Sequence, residues 1–242
     1  ADYYLLNSTK DSLFFGKSMN NKIKKKIIIT GYLKYQKWWI NKILSTNFKK
    51  TYKRFTILVV TRPVRNIKKG DFSEESYNYL VSSIMQISNK IKNSLVIFKT
   101  HPNNRGSENK LLKGILSSYS QNKWKIQNIH TLKLAKKADI CISFQTSACM
   151  DCLAVKRFAV EFWLNKLDYN FLIKKNNKHI SVFKYFGLVE SVDSKKKLEK
   201  LILKFKKNKF SGLFKKQMIN FSKLNKNNIN INKLIKLIET DA

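Results

Sequence analysis

The chain has 242 residues, 43% of them hydrophobic, and carries Lys+Arg 49 against Asp+Glu 15 for a net charge of +34. That apolar share excludes a wholly disordered chain. No apolar run approaches the roughly 20 residues that a membrane-crossing helix needs, and no N-terminal stretch reads as a secretory signal.

In chain order, short Ile- and Val-rich runs alternate with helical periods. Residues 27–30 predict a strand closed by Gly31, and 34–44 a helix behind it. Residues 1–50 read as the remnant of an N-terminal domain, with the polar, Lys-rich stretch 45–53 as its linker. Further strands are expected at 57–61, 95–100, 125–127, 140–143 and 158–161. Their apolar residues are nearly continuous, as in strands covered on both faces. Tyr77, Leu80, Val81, Ile84, Ile87 and Ile91 follow the helical period, with Ser73 as N-cap and Glu74 and Glu75 in the first turn. Leu111, Leu112, Ile115, Leu116 and Tyr119 mark a second helix, Leu132, Ala135 and Ala138 a short third. Leu198, Leu201, Ile202 and Phe205 mark a later one. Strand–helix–strand repetition implies an α/β fold with a Rossmann-like, doubly wound parallel sheet over 54–210. Residues 211–242 are expected to form a helical C-terminal tail, interrupted near 225–230.

Five of the basic residues are Arg; the rest are Lys, scattered along the chain with Asn and Ile. A nucleic-acid binder concentrates its charge and uses Arg for bidentate contacts, so no specific nucleic-acid partner is expected. Such a positive field still attracts anionic membranes and nucleotide substrates. The three cysteines (Cys141, Cys149, Cys152) are too few for a disulfide framework and fit a reducing cytoplasm. Cys149 and Cys152 read as small buried residues on one helix face, because a zinc site would need two more ligands. No metal and no cofactor are expected. Trp38-Trp39 and Phe162-Trp163 read as core or domain-interface packing.

In an open parallel sheet, ligands bind at the carboxyl ends of the strands. Arg62 follows one strand. Lys99 and His101 close the next, and Gln145, Thr146 and Ser147 follow the strand at 140–143. Pro102 biases His101 towards extended geometry, which turns the imidazole towards a crevice. Histidine, lysine and arginine there suit a phosphate, through charge-assisted bonds worth about 1.5–3 kcal/mol. Thr146 and Ser147 serve either as phosphate donors, with a helix N-terminus behind them, or as ordinary N-caps. His130 lies in the next loop and lines a nucleobase pocket or caps a helix. Asp151 sits one turn after Ser147, facing ribose hydroxyls or the helix dipole.

Three stretches resemble the C-terminal half of bacterial GT-B glycosyltransferases of surface-polysaccharide and capsule synthesis. Lys99-Thr100-His101-Pro102-Asn103 is similar to the His-Pro motif of CMP-sugar-using sialyl- and Kdo-transferases. Ala138 to Ser143, leading to Gln145-Thr146-Ser147, resembles a motif of those enzymes and of CDP-glycerol-type polymerases. Asp151 to Val160 resembles the segment that follows, although Val155 stands where the family usually has Gly and Arg157 where it has Pro. The resemblance covers roughly residues 26–194. It implies donor phosphate held by His101, Thr146 and Ser147, and Asp151 facing the ribose. It also implies a catalytic base in an N-terminal domain, of which residues 1–45 are the only counterpart; Ala1 in place of Met fits a processed start or a longer protein. No base is identified in this chain.

The expected function is therefore transfer of a sugar from a nucleotide-activated donor to a cell-surface polysaccharide or lipid-linked acceptor, by a metal-independent enzyme of which this chain is the donor half. The expected location is the cytoplasm, with contact to the anionic inner leaflet. The rivals are a basic nucleic-acid-binding protein without catalysis and a nucleotide-sugar epimerase. Epimerases favour a Gly-rich segment where this chain has Gln145-Thr146-Ser147-Ala148.

Overall fold

The computed structural model describes residues 4–6, 21–29, 31–45, 53–64, 73–101, 105–164, 172–175, 178–208 and 211–225. Near the N-terminus, β1 (Tyr4–Leu6) and β2 (Ile27–Ile29) pair in parallel, with α1 (Asn21–Lys25) before β2. Gly31, at φ 67, ends this unit in a conformation that glycine adopts without steric cost. A 3-10 turn (Leu33–Tyr35) then leads into α2 (Lys37–Leu44).

The main sheet is built from β3 (Phe55–Val60), β4 (Ser94–Lys99), β5 (Trp124–Ile126), β6 (Ile140–Ser143), β7 (Phe158–Phe162) and β10 (Glu190–Val192). Its order is β10-β7-β6-β3-β4-β5, every pairing parallel. The first of these strands in the chain therefore lies beside the fourth, which is the doubly wound arrangement with its switch point between β3 and β6. The expected Rossmann-like α/β fold is the one observed. A two-stranded antiparallel ribbon, β8 (Leu172–Lys175) with β9 (Lys178–Ser181), stands apart from it.

Alternation within the strands feeds two cores. Ile57, Val59, Val96, Phe98, Ile140, Ile142, Phe158 and Val160 face one side. There they meet α3 (Glu74–Asn89), α4 (Arg105–Leu116) and α8 (Lys195–Asn208). Leu58, Val60, Leu95, Ile97, Cys141 and Ala159 face the other. Their partners are α5 (Thr131–Lys137), α6 (Ala148–Ala154) and α9 (Ser211–Asn225). Burying each such aliphatic side chain contributes about 1.5–3 kcal/mol, so a strand buried on both faces tolerates no polar alternation. Ser73 caps α3 as expected, accepting from the Ser76 N–H at 3.1 Å. A short helix, α7 (Val182–Tyr185), starts at Ser181, whose hydroxyl accepts from the Lys184 N–H at 3.1 Å.

Asp139 aligns β6 with β3 twice over. Its N–H donates to the Thr56 carbonyl at 2.8 Å, and its Oδ2 accepts from the Thr56 N–H at 2.8 Å. The acidic residue of the Ala138-Asp139 pair thus sets strand register at the end of the sheet remote from the carboxyl edge.

The N-terminal segment does not stand clear of the main domain. Tyr35 is buried in the second core, and Tyr32, Ile40, Ile43 and Leu44 pack against that core from the same segment. One reading needs correction: Trp38 is neither core nor interface among the described residues. It is 53% exposed, because the inward face of α2 is already taken by Ile40, Ile43 and Leu44. Phe162 and Trp163 are buried, as expected of packing residues. The linker at 46–52 and the tail beyond Asn225 lie outside the described residues.

Candidate functional site

With β6, β3, β4 and β5 adjacent and parallel, the loops after them occupy four consecutive places along one sheet edge, about 4.8 Å per strand. Arg62 follows β3, His101 follows β4, His130 follows β5, and Gln145 to Ser147 follow β6. The topology therefore brings Arg62, His101, His130 and Gln145 to Ser147 to one edge of the sheet; Pro102 and Asn103 lie outside the described residues.

A side-chain bond spans the switch point itself. Arg62 Nη1 donates to Gln145 Oε1 at 3.1 Å. Gln145 holds φ at 50, the left-handed region that a side chain adopts at a cost. Its Nε2 is buried with no partner among the described residues. A buried amide donor left unpaired costs roughly 1–3 kcal/mol, so the side chain is held in place while part of its bonding capacity goes unused.

The neighbouring hydroxyls divide their roles. Thr146 Oγ1 accepts from the Ala148 N–H at 3.3 Å, the bond of a local cap. Ser147 is exposed and makes no capping bond. Because α6 is only seven residues long, its macrodipole adds little, and the site rests on side chains.

On the β4 side, Lys99 is buried and lies within electrostatic reach of Glu108 and His130. The His101 N–H donates to Glu108 Oε2 at 3.0 Å. Further along, His130 is the N-cap of α5, its Nδ1 accepting from the Leu132 N–H at 3.2 Å. Desolvation pushes the His130 pKa down; Asp151 opposes this, while Lys99, Lys133 and Lys34 add to it. His130, Asp151, Lys99 and Lys34 thus share one electrostatic neighbourhood. Asp151 Oδ1 accepts from the Tyr35 hydroxyl at 2.9 Å, with Lys34 Nζ at 3.6 Å.

Sequence reasoning missed three groups at this edge: Glu108, and the pair Lys34 and Tyr35 from the N-terminal segment. Glu108 carried a signal, since it lies three and four residues before Leu111 and Leu112 and so extends their apolar stripe by one turn. Tyr35 carried none, because its partner is 116 residues away. The cysteines are buried, and burial drives the thiols of Cys149 and Cys152 upward, away from reactivity. Among the described residues no group of three or more His, Cys, Asp and Glu is placed to hold a metal ion. No helix of the described residues is long and apolar enough to cross a membrane.

No family model matches the chain, and no curated protein matches its sequence. Solved structures do share its fold. A Staphylococcus aureus MnaA–UDP co-structure superposes with a TM-score of 0.61 at 11% identity, over 99% of this chain and 60% of that one. A UDP-N-acetylglucosamine 2-epimerase gives 0.54 at 9%, over 93% and 55%. The wall teichoic acid polymerase TagF gives 0.56 at 15%, over 99% and 58%. At these identities the likeness establishes the Rossmann-like fold alone, and the chain spans less than two thirds of the length of each of these structures.

Proposed function

We propose that the chain is the donor-binding half of a glycosyltransferase, which holds the phosphate of a nucleotide-activated sugar in the crevice between β3 and β6. The observation that carries the reading is the Arg62–Gln145 bond across the switch point, with the buried Gln145 Nε2 unpaired among the described residues beside it. A guanidinium and an amide donor at the place where open α/β sheets bind ligands suit an anionic, oxygen-rich group. In this reading Arg62, Lys99 and His101 offset charge on the departing nucleotide, Gln145, Thr146 and Ser147 hold phosphate oxygens, and His130 and Asp151 lie on the ribose and base side. Stabilising a leaving group by fixed positive charge accelerates transfer only if the charge is better placed for the transition state than for the bound donor.

The acceptor in this reading is a surface polysaccharide or a lipid-linked glycan. The half-exposed Trp38, flanked by the exposed Lys37 and Lys42, suits contact with an anionic leaflet where such acceptors reside. The neighbours described as UDP-bound and as a 2-epimerase favour a second reading, an epimerase acting on a nucleotide sugar. Against it stands the Gly-free segment after β6.

Calorimetric titration with CMP, CDP and UDP tests the site. Binding of at least one is expected, with affinity lowered about tenfold or more in His101→Ala. Equal affinity in the variant removes His101 from the site. Binding to DNA or RNA alone, falling steeply with salt, overturns the nucleotide-sugar reading. Epimerisation of a bound nucleotide sugar without any acceptor selects the second.

A further inference from the structure

Glu108 lies one turn into α4 and is only 3% exposed. Three donors from three elements converge on its carboxylate. Oε1 meets the hydroxyl of Thr61, just past β3, and accepts from the hydroxyl of Tyr77 on α3 at 3.2 Å. Oε2 accepts from the backbone N–H of His101, just past β4. The Thr61 hydroxyl also lies 3.2 Å from the Lys99 carbonyl oxygen. Thr61, the first residue after β3, and His101, the second after β4, are thereby tied to one side chain.

We infer that Glu108 is a positioning residue that sets the backbone of His101 and so aims its imidazole at the phosphate crevice. The inference rests on the reading of His101 as a phosphate ligand. Glu108 holds the His101 N–H beyond the point where the strand ladder between β3 and β4 ends, at Lys99, so its loss removes a tie that the ladder does not supply. His101 would then gain freedom, and a bound ligand would bear the cost of ordering it. Two substitutions separate reach from charge. Glu108→Gln keeps the length and an acceptor oxygen for the His101 N–H but loses the charge. Glu108→Asp keeps the charge but is one methylene short.

The experiment measures CMP, CDP and UDP affinity for wild type, both variants, and each variant combined with His101→Ala, with thermal melts in parallel. Glu108→Gln is expected to bind within about twofold of wild type. Glu108→Asp is expected to lose about tenfold, the loss of His101→Ala, and to lose nothing further when combined with it. Losses that multiply in the double variant, or an Asp variant that binds as wild type, overturn the inference. Amide exchange at His101 gives a second readout that needs no nucleotide. It should quicken in Glu108→Asp and hold in Glu108→Gln, and unchanged exchange in both variants also overturns it. Absence of nucleotide binding in wild type refutes the site, whereas the exchange result decides the role of Glu108 on its own.

Discussion

The Tyr35 hydroxyl donates to Asp151 Oδ1 at 2.9 Å, joining the N-terminal segment to the first turn of α6 across 116 residues. Burial and the neighbouring carboxylate hold the Tyr35 phenol protonated far above its ordinary range. The ring also meets Phe221 of α9 edge-on, with centroids 5.5 Å apart. Tyr35→Phe keeps that ring contact and removes only the donor. A loss of about 1–3 kcal/mol is expected, read as a lower denaturation midpoint with an unchanged slope. An unchanged midpoint would show that the bond does not tie the segment down.

How far the sequence could be read follows from these contacts. Strands β3, β4, β6 and β7 were legible because burial on both faces writes a continuous apolar run. The ribbon β8–β9 was not, since its strands read LIKK and KHIS, with lysines no core demands. Edge strand β10 is three residues long and half-buried, so it leaves little trace. The expected helix over 34–44 splits into a 3-10 turn and α2 because Tyr35 must point into the second core. At the candidate site, the strand-end positions of Arg62, His101 and Gln145 were legible from element order alone. The three-way convergence on Glu108 was not, for it depends on a backbone N–H and two hydroxyls that periodicity does not register.

The turn after α6 explains one departure from the resembled family. The Arg157 N–H bonds the Cys152 carbonyl and the Lys156 N–H bonds that of Leu153, each at 2.9 Å, the paired pattern of a Schellman C-cap. The left-handed residue is Lys156, at φ 57, while Val155 stays at φ −102. Glycine is therefore wanted at 156, not at 155. Lys156→Gly should stabilise the fold by about 0.5–1 kcal/mol through relief of that conformation, whereas Val155→Gly should destabilise it by emptying a buried site. Chemical denaturation of the two variants checks the contrast, and a destabilised Lys156→Gly would contradict it.

His130 holds the start of α5 through an unprotonated Nδ1. Its pKa is pushed down, chiefly by desolvation. A base depressed in the fold is protonated first in the unfolded chain, so its contribution is present above the unfolded value and lost as pH falls through the folded one. His130→Ala should cost about 1 kcal/mol at pH 8, and His130→Asn should recover most of it as a good N-cap. The gap between wild type and His130→Asn should open in favour of Asn as pH drops below the ordinary histidine range. Parallel melts at pH 8 and pH 5 measure it, and a gap that does not move would disconnect the cap from titration.

Glu161 on β7 is fully buried beneath the second core. Its Oε2 accepts from the Ser191 hydroxyl at 3.2 Å, which in turn accepts from Trp163 Nε1 at 2.6 Å. Oε1 has no partner among the described residues. Burial pushes the carboxyl from 4.5 up to about 7, with Ser181, Ser191 and Lys184 pulling it partly back. The folded protein therefore keeps a proton that the unfolded chain releases across this window. The Glu161 contribution to stability therefore falls as pH rises from 4.5 to about 7, then levels off. The difference between those values corresponds to about 3 kcal/mol. Glu108 is raised as well and slopes the wild-type curve in the same direction, so the comparison has to be made against a variant that lacks only the Glu161 proton. Glu161→Gln, neutral at every pH, should match wild type near pH 5 and exceed it at pH 8. Urea unfolding at both values reads the difference directly; the same difference at both would mean that Glu161 does not titrate in this range.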